Sequence, residues 1–244
     1  MRKIKFLGSG DALGSGGRMQ SCLLVEGAAG QFLIDCGPSV MIALKKFHID
    51  PALIELIIIS HLHGDHFGGI PFFILDGQFS SRTQPLLLAG PPGLKDRTTA
   101  AMEILFPGLA QTKQKFPIKF IEFSKEKEEL WKGIKIIPYE VAHASGAPAY
   151  ALRIEGEGKI LAYSGDTEWV EALEKVARDA DIFISEAYFL EKNIKYHLNY
   201  QTLLAKQENL KCRRLILTHM HEDVLSRIKE IKIEWAEDGK EVYI

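Results

Sequence analysis

The chain has 244 residues, 46% of them hydrophobic, which suffices for a sizeable core and lies near the upper end of one domain, so a single domain over 1–244 is expected. Lys and Arg number 30 against 32 Asp and Glu, and a net charge of −2 excludes a global positive field that would draw in a polyanion. Cys22, Cys36 and Cys212 form no C-x-x-C pair and read as thiols of a cytoplasmic protein, while the apolar stretch ending at Leu7 is too short for a signal or a membrane span.

In chain order, short apolar or alternating runs at Ile4–Leu7, Cys22–Val25 and Phe32–Ile34, broken by glycines, predict strands and hairpins. Helical spacing follows from Pro38 to Phe47, and Leu56–Ile59 reads as a fully buried strand. A helix at Ile70–Leu75, a strand at Leu86–Leu88 and a helix near Thr98–Leu105 complete the first half. Strands at Ile118–Phe123, Ile134–Val141, Tyr150–Ile154 and Ile160–Tyr163 lead into a second half that echoes the first. There, helices near Trp169–Ala177 and Tyr200–Gln207 alternate with strands at Ile182–Ile184 and Leu215–Leu217, and Ile231–Trp235 and Val242–Ile244 close the chain. Two β-rich halves with interspersed helices fit an α/β (α+β) four-layer αββα sandwich, although periodicity alone does not choose it over other α/β folds.

The chemistry concentrates in His61-Leu62-His63-Gly64-Asp65-His66, four potential metal ligands in six residues directly after a buried strand. In an extended segment, side chains at i and i+2 point the same way, so His61 and His63 can share one metal while Asp65 and His66 reach a neighbouring one. Imidazole and carboxylate ligands suit zinc first, and iron or manganese tolerate the same set. Gly64 and Gly68-Gly69 let the backbone turn tightly.

The run Ser60–Gly69 resembles the signature of the metallo-β-lactamase superfamily, and the similarity extends over nearly the whole chain. The resemblance implies a metal-dependent hydrolase with two divalent ions. His61, His63 and His143 would bind one, Asp65, His66 and His219 the other, and Asp166 would bridge them. Asp65 would serve catalysis as well as binding, and Asp35, in Asp35-Cys36-Gly37, would orient a ligand by a hydrogen bond. Two such ions activate a bridging water or hydroxide for hydrolysis.

The substrate class is read from Ser185-Glu186-Ala187-Tyr188-Phe189 and Tyr196-His197-Leu198-Asn199-Tyr200, which resemble a paired motif of ribonuclease Z. That resemblance makes Glu186 and His197 cooperating residues, with His197 the acid for a leaving alkoxide; proton delivery of this kind is worth roughly 10²–10⁴-fold. The bland alternative is a helix capped by Asn199 with His197 a polar loop residue. The opening Leu7-Gly8-Ser9-Gly10-Asp11 is also ribonuclease Z-like, and reads equally as a hairpin connection.

The chain departs from that family in three respects. Only 22 residues separate His143 from Asp166, leaving no room for the long arm that grips tRNA; Ser185 stands where a His is usual; and the charge is not basic. A small-molecule phosphodiester, such as a cyclic nucleotide, is therefore the expected substrate. RNA, with tRNA 3′-end endonuclease activity, is the alternative, followed by lactone or thioester hydrolysis. Val141-Ala142-His143-Ala144-Ser145-Gly146 differs from the thioesterase pattern. Outside enzymes, the rival reading is a catalytically idle metal-binding module. Homologous enzymes suggest a homodimer. His48 reads as a helix C-terminal residue, His221 as a solvent-facing loop residue, Cys36 as a small buried residue, and Phe67, Phe72, Phe73 and Phe79 mainly as core.

Overall fold

The computed structural model describes residues 1–80 and 82–244. In chain order the strands are β1 (Lys3–Gly8), β2 (Cys22–Gly27), β3 (Gly30–Ile34), β4 (Ile54–Ile58), β5 (Leu86–Gly90), β6 (Ile118–Glu122), β7 (Glu129–Trp131), β8 (Ile134–Val141), β9 (Ala149–Gly156), β10 (Lys159–Tyr163), β11 (Ile182–Glu186), β12 (Leu215–Thr218), β13 (Glu234–Trp235) and β14 (Glu241–Tyr243). The helices are α1 (Val40–Lys46), α2 (Gly64–Phe67), α3 (Ile70–Phe79), α4 (Leu94–Leu105), α5 (Ala172–Ala177), α6 (Tyr200–Leu210) and α7 (Glu222–Leu225).

The strands form two seven-stranded sheets, ordered β14-β1-β2-β3-β4-β5-β6 and β13-β12-β11-β10-β9-β8-β7. Each has three antiparallel pairings followed by three parallel ones, with the change at β3 and at β10. Strand alternation builds the layers. Leu56 and Ile58 of β4 and Ile182 and Ile184 of β11 meet in the core between the sheets. The neighbouring Ile57 turns outward to α1, α3 and α4, and Phe183 to α5, α6 and α7. Parallel strands buried on both faces are largely apolar, which is why β4 reads as Ile-Glu-Leu-Ile-Ile, with only Glu55, near its start, polar and partly exposed. The result is the αββα metallo-β-lactamase sandwich expected from the sequence. No helix among the described residues is long and apolar enough to cross a membrane.

Local signals set several boundaries. The Asn199 side chain accepts from the Thr202 N–H at 2.8 Å and starts α6; Lys211, in a left-handed conformation, ends it. His48 (φ 55°) closes α1 in the same way.

Other expectations need correction. The strand expected over Ile231–Trp235 shrinks to β13, because Ile231 and Ile233 turn to the helix layer while Glu234 and Trp235 alone pair with β12. The helix expected from Trp169 begins at Ala172. The sequence reading missed β7, whose Leu130 faces solvent in a charge-rich stretch. Phe67 and Phe73 are core residues, but Phe72 is partly exposed against Phe106, and Phe79 is 81% exposed.

Candidate metal centre

Apart from His197, which lies in the segment between β11 and α6, every side chain singled out for chemistry lies just beyond, or at the last residue of, a strand at one end of the sandwich. Asp35 follows β3 in a left-handed conformation (φ 58°), and its fully buried carboxylate is a hub. It accepts from the Ser60 N–H at 2.8 Å, the Ser60 hydroxyl at 2.9 Å and the Tyr163 hydroxyl at 2.8 Å. His66 Nδ1 donates to it at 2.7 Å, which turns His66 Nε2 toward Asp65 at 3.1 Å and Asp166 at 3.3 Å. Asp35 thus orients His66 as the sequence suggested.

The segment after β4 carries Ser60, His61 and His63 into the short α2, which presents Asp65 and His66. His61 Nδ1 lies 3.1 Å from the Ser60 hydroxyl, and His63 Nδ1 lies 2.9 Å from His143 Nε2. His143 follows β8, and its Nδ1 donates to the Tyr196 carbonyl at 2.9 Å. Asp166 follows β10 after Gly165 (φ 57°), where an added Cβ would lie 3.0 Å from the Tyr150 carbonyl and 3.1 Å from Ser60 Cβ. His219 follows β12 at φ 54°, donates its N–H to the Ser9 carbonyl at 3.0 Å, and sets Nε2 3.2 Å from Asp65. Ser9 therefore brings the glycine-rich opening loop to the site. Asp11 ties that loop down by accepting from Leu13 and Ser15.

The two groups that hold the expected ligands, His61, His63 and His143, and Asp65, His66, Asp166 and His219, each offer ligand atoms within 4.8 Å of one another, as do two overlapping groups that include His197: His143, Asp166 and His197, and Glu186, His197 and His219. All seven residues expected as ligands are thus brought together. Asp166 lies against both groups, 3.9 Å from His61, 4.0 Å from His143 and 3.5 Å from His219.

Glu186 and His197 adjoin them. His197 Nδ1 donates to Glu186 at 2.9 Å, and the other Glu186 oxygen accepts from the Thr167 N–H. Tyr188 stacks on His197 with ring centroids 4.6 Å apart. His221, expected to face solvent, instead accepts from the Asp223 N–H at the start of α7 and packs on Tyr188 and Phe189.

The electrostatics fit a bound cation. Asp35, Asp166 and Glu186 are almost fully buried, and among the described residues no Lys or Arg pairs with them or with Asp65. Burial pushes the Glu186 carboxyl up to about 7, with Asp166 adding to the effect. Burial opposes charge on His219, yet Asp166 and Asp65 bring it to about 9. Burial, with His66 beside it, holds His61 well below its usual value against the pull of Asp166. His61 Nε2, 3.9 Å from Asp166, is buried without a hydrogen-bond partner among the described residues. Buried polar atoms left unpaired are costly and rare. A nitrogen and oxygen donor set of this kind satisfies a divalent metal ion, so the residues present fit one.

Sequence reasoning missed Ser60, Tyr163, Tyr188 and the Tyr196 carbonyl. Tyr163 was legible in principle: three residues before Asp166, alternation along β10 puts it in the core between the sheets.

Comparison with known proteins agrees with this fold. Ribonuclease Z of Enterococcus faecalis is 25% identical over 92% of this chain and 88% of its own length. Human tRNase Z, short form, superposes with a TM-score of 0.80 at 23% identity, covering 98% of both chains. A diphosphatase from the PhnP family also reaches 0.80, at 19% identity over 100% of this chain and 98% of its own. The family model described as "Anti-Pycsar protein Apyc1" matches residues 2–240. The chain belongs to that family, a ribonuclease Z-like branch of the metal-dependent hydrolases with the metallo-β-lactamase fold.

Proposed function

We propose that the chain hydrolyses a small or cyclic phosphodiester at two divalent metal ions, with zinc the first choice for these donors. His61, His63 and His143 would hold one ion, and Asp65, His66 and His219 the other, with Asp166 between. Bound ions supply a lowered water pKa and offset the charge that develops on phosphate. The observation that carries the reading is Asp166, which lies within 4.0 Å of ring nitrogens in both groups.

The chain's own residues supply the remaining chemistry. With Nδ1 engaged by Glu186, His197 keeps Nε2 to give a proton to the departing alkoxide. Burial works against charge on His197, but the Glu186 hydrogen bond together with the charges of Glu186 and Asp166 outweighs it, so the imidazole holds its proton more tightly than usual. Thr167 fixes Glu186 from behind, and the Tyr188 ring holds the imidazole plane. These contacts favour the acid role over the bland reading of His197, although Asn199 does cap α6.

Two features support a small substrate over folded RNA: the residues between His143 and Asp166 fold as β9 and β10, and the net charge is −2. An anti-Pycsar role, in the words of the family's description, is part of the same proposal. Exposed Ile104 and Leu105 of α4, followed by Phe106, which packs on the partly exposed Phe72 of α3, would suit a homodimer, which sedimentation of the purified protein tests.

The test of function is a panel of a cyclic nucleotide, a chromogenic phosphodiester, a precursor tRNA, a thioester and a lactone, each with and without chelator. Turnover of the cyclic phosphodiester, abolished by chelation, is expected. Turnover of the thioester or lactone alone overturns the reading, and preferred cleavage of the tRNA replaces the small substrate with RNA.

A further inference from the structure

Arg97 lies on α4, a helix that contributes none of the seven candidate ligands. Its Nη1 donates to the Leu62 carbonyl at 3.2 Å and to the Ser145 carbonyl at 3.2 Å. Leu62 sits between His61 and His63, on the loop leaving β4 of the first sheet. Ser145 is two residues beyond His143, on the loop leaving β8 of the second. One guanidinium nitrogen therefore joins the two loops that supply the group His61, His63 and His143. Opposite it, Gly146 is left-handed (φ 75°), and an added Cβ there would stand 3.1 Å from Arg97 Nη2.

We propose that Arg97 is a positioning residue for the three-histidine half of the metal centre, tethering the loop of His61 and His63 to the loop of His143. The inference rests on the two-ion reading above. Ligands from different sheets keep their mutual distances only if their loops are held, and ordering them at the moment of binding costs entropy that a preformed tether removes. A guanidinium suits the task because its several N–H donors are fixed in one plane, so a single group can serve two carbonyls without rearranging. The sign of the effect separates a tether from a field. Removing a positive charge near a cation site tightens that site by Coulomb's law, whereas removing a tether loosens it.

The experiment titrates metal-free wild type, Arg97→Ala, Arg97→Lys and Lys95→Ala with zinc against a chromophoric chelator, with circular dichroism to establish that each variant is folded. Wild type is expected to take up two equivalents. Arg97→Ala should bind one of them about tenfold more weakly and the other unchanged, as for loss of an outer hydrogen-bond partner of a metal site. Arg97→Lys, whose ammonium can also donate to two carbonyls, should recover part of the loss. Lys95→Ala removes a neighbouring charge without touching either loop and should leave both equivalents unchanged. Unchanged or tighter zinc binding by Arg97→Ala overturns the tether, as does equal weakening by Lys95→Ala. A folded wild type that binds no zinc overturns the two-ion reading itself, and the tether with it.

Discussion

The two halves of the molecule build their share of the site by opposite means. The first half delivers His61, His63, Asp65 and His66 from six consecutive residues, an extended run passing into one turn of helix. The second half delivers His143, Asp166 and His219 singly, from the ends of β8, β10 and β12, with Glu186 at the end of β11. The local set is brought together by backbone periodicity, and contacts from elsewhere, such as Asp35 on His66, then fix its orientation. The dispersed set is placed by sheet register, so each member is only as well positioned as the strand behind it. The proposed hydrolysis needs both, and Asp166 is where they meet.

Breaking that meeting point has the largest expected effect. Asp166→Asn keeps the shape but removes the charge that faces His61, His66, His143 and His219. Bound metal should fall below two equivalents by elemental analysis and hydrolysis should drop to background. Retention of two tightly held ions would mean that the halves do not share a bridging group. His197→Ala is next. Metal should be retained while turnover falls by roughly 10²–10⁴-fold, most for substrates with the poorest leaving groups. Loss of metal in that variant would convert His197 from acid to ligand.

The same contrast explains what the sequence could and could not reveal. The histidine loop was legible because ligand density within six residues has few structural explanations. His143, Asp166 and His219 are single residues after unremarkable strands, and only their order, by resemblance, marked them. Tyr196 acts through its backbone carbonyl, which no residue-type pattern encodes. The central strands β4 and β11 were legible as short apolar runs. The short edge strand β7 was not, and β13 was read three residues too long, because such strands bury too little to impose a period.

Tyr163 sharpens the comparison, since it belongs to the second half but supports the first. Its hydroxyl donates to Asp35, which in turn holds His66. Tyr163→Phe removes one of the bonds to a buried carboxylate and should cost about 1.5–3 kcal/mol in the unfolding free energy. Zinc binding at the His66 side should weaken while the three-histidine side is unchanged. An effect confined to the second half would mean that the halves are mechanically independent.

The smallest expected effect lies at an ionic clasp between the sheet edges. Glu234 of β13 accepts from Arg214 Nε and Nη2 at 2.7 Å each, and lies 2.8 Å from Lys240, which leads into β14 of the other sheet. The Arg214 hydrogen bonds, against some burial and with help from Lys240, depress the Glu234 carboxyl from 4.5 to about 2. A depressed carboxylate contributes stability that is fully present above its unfolded value, here 4.5, and is lost as pH falls toward 2. Water screens this half-exposed cluster, so its contribution is about 1 kcal/mol or less, or about 2–4 °C in melting temperature. Glu234→Gln should therefore melt below wild type at pH 7, and the gap should close between pH 4.5 and 2. A gap that persists through that window would assign the loss to packing of β13 rather than to the charge that joins the two halves.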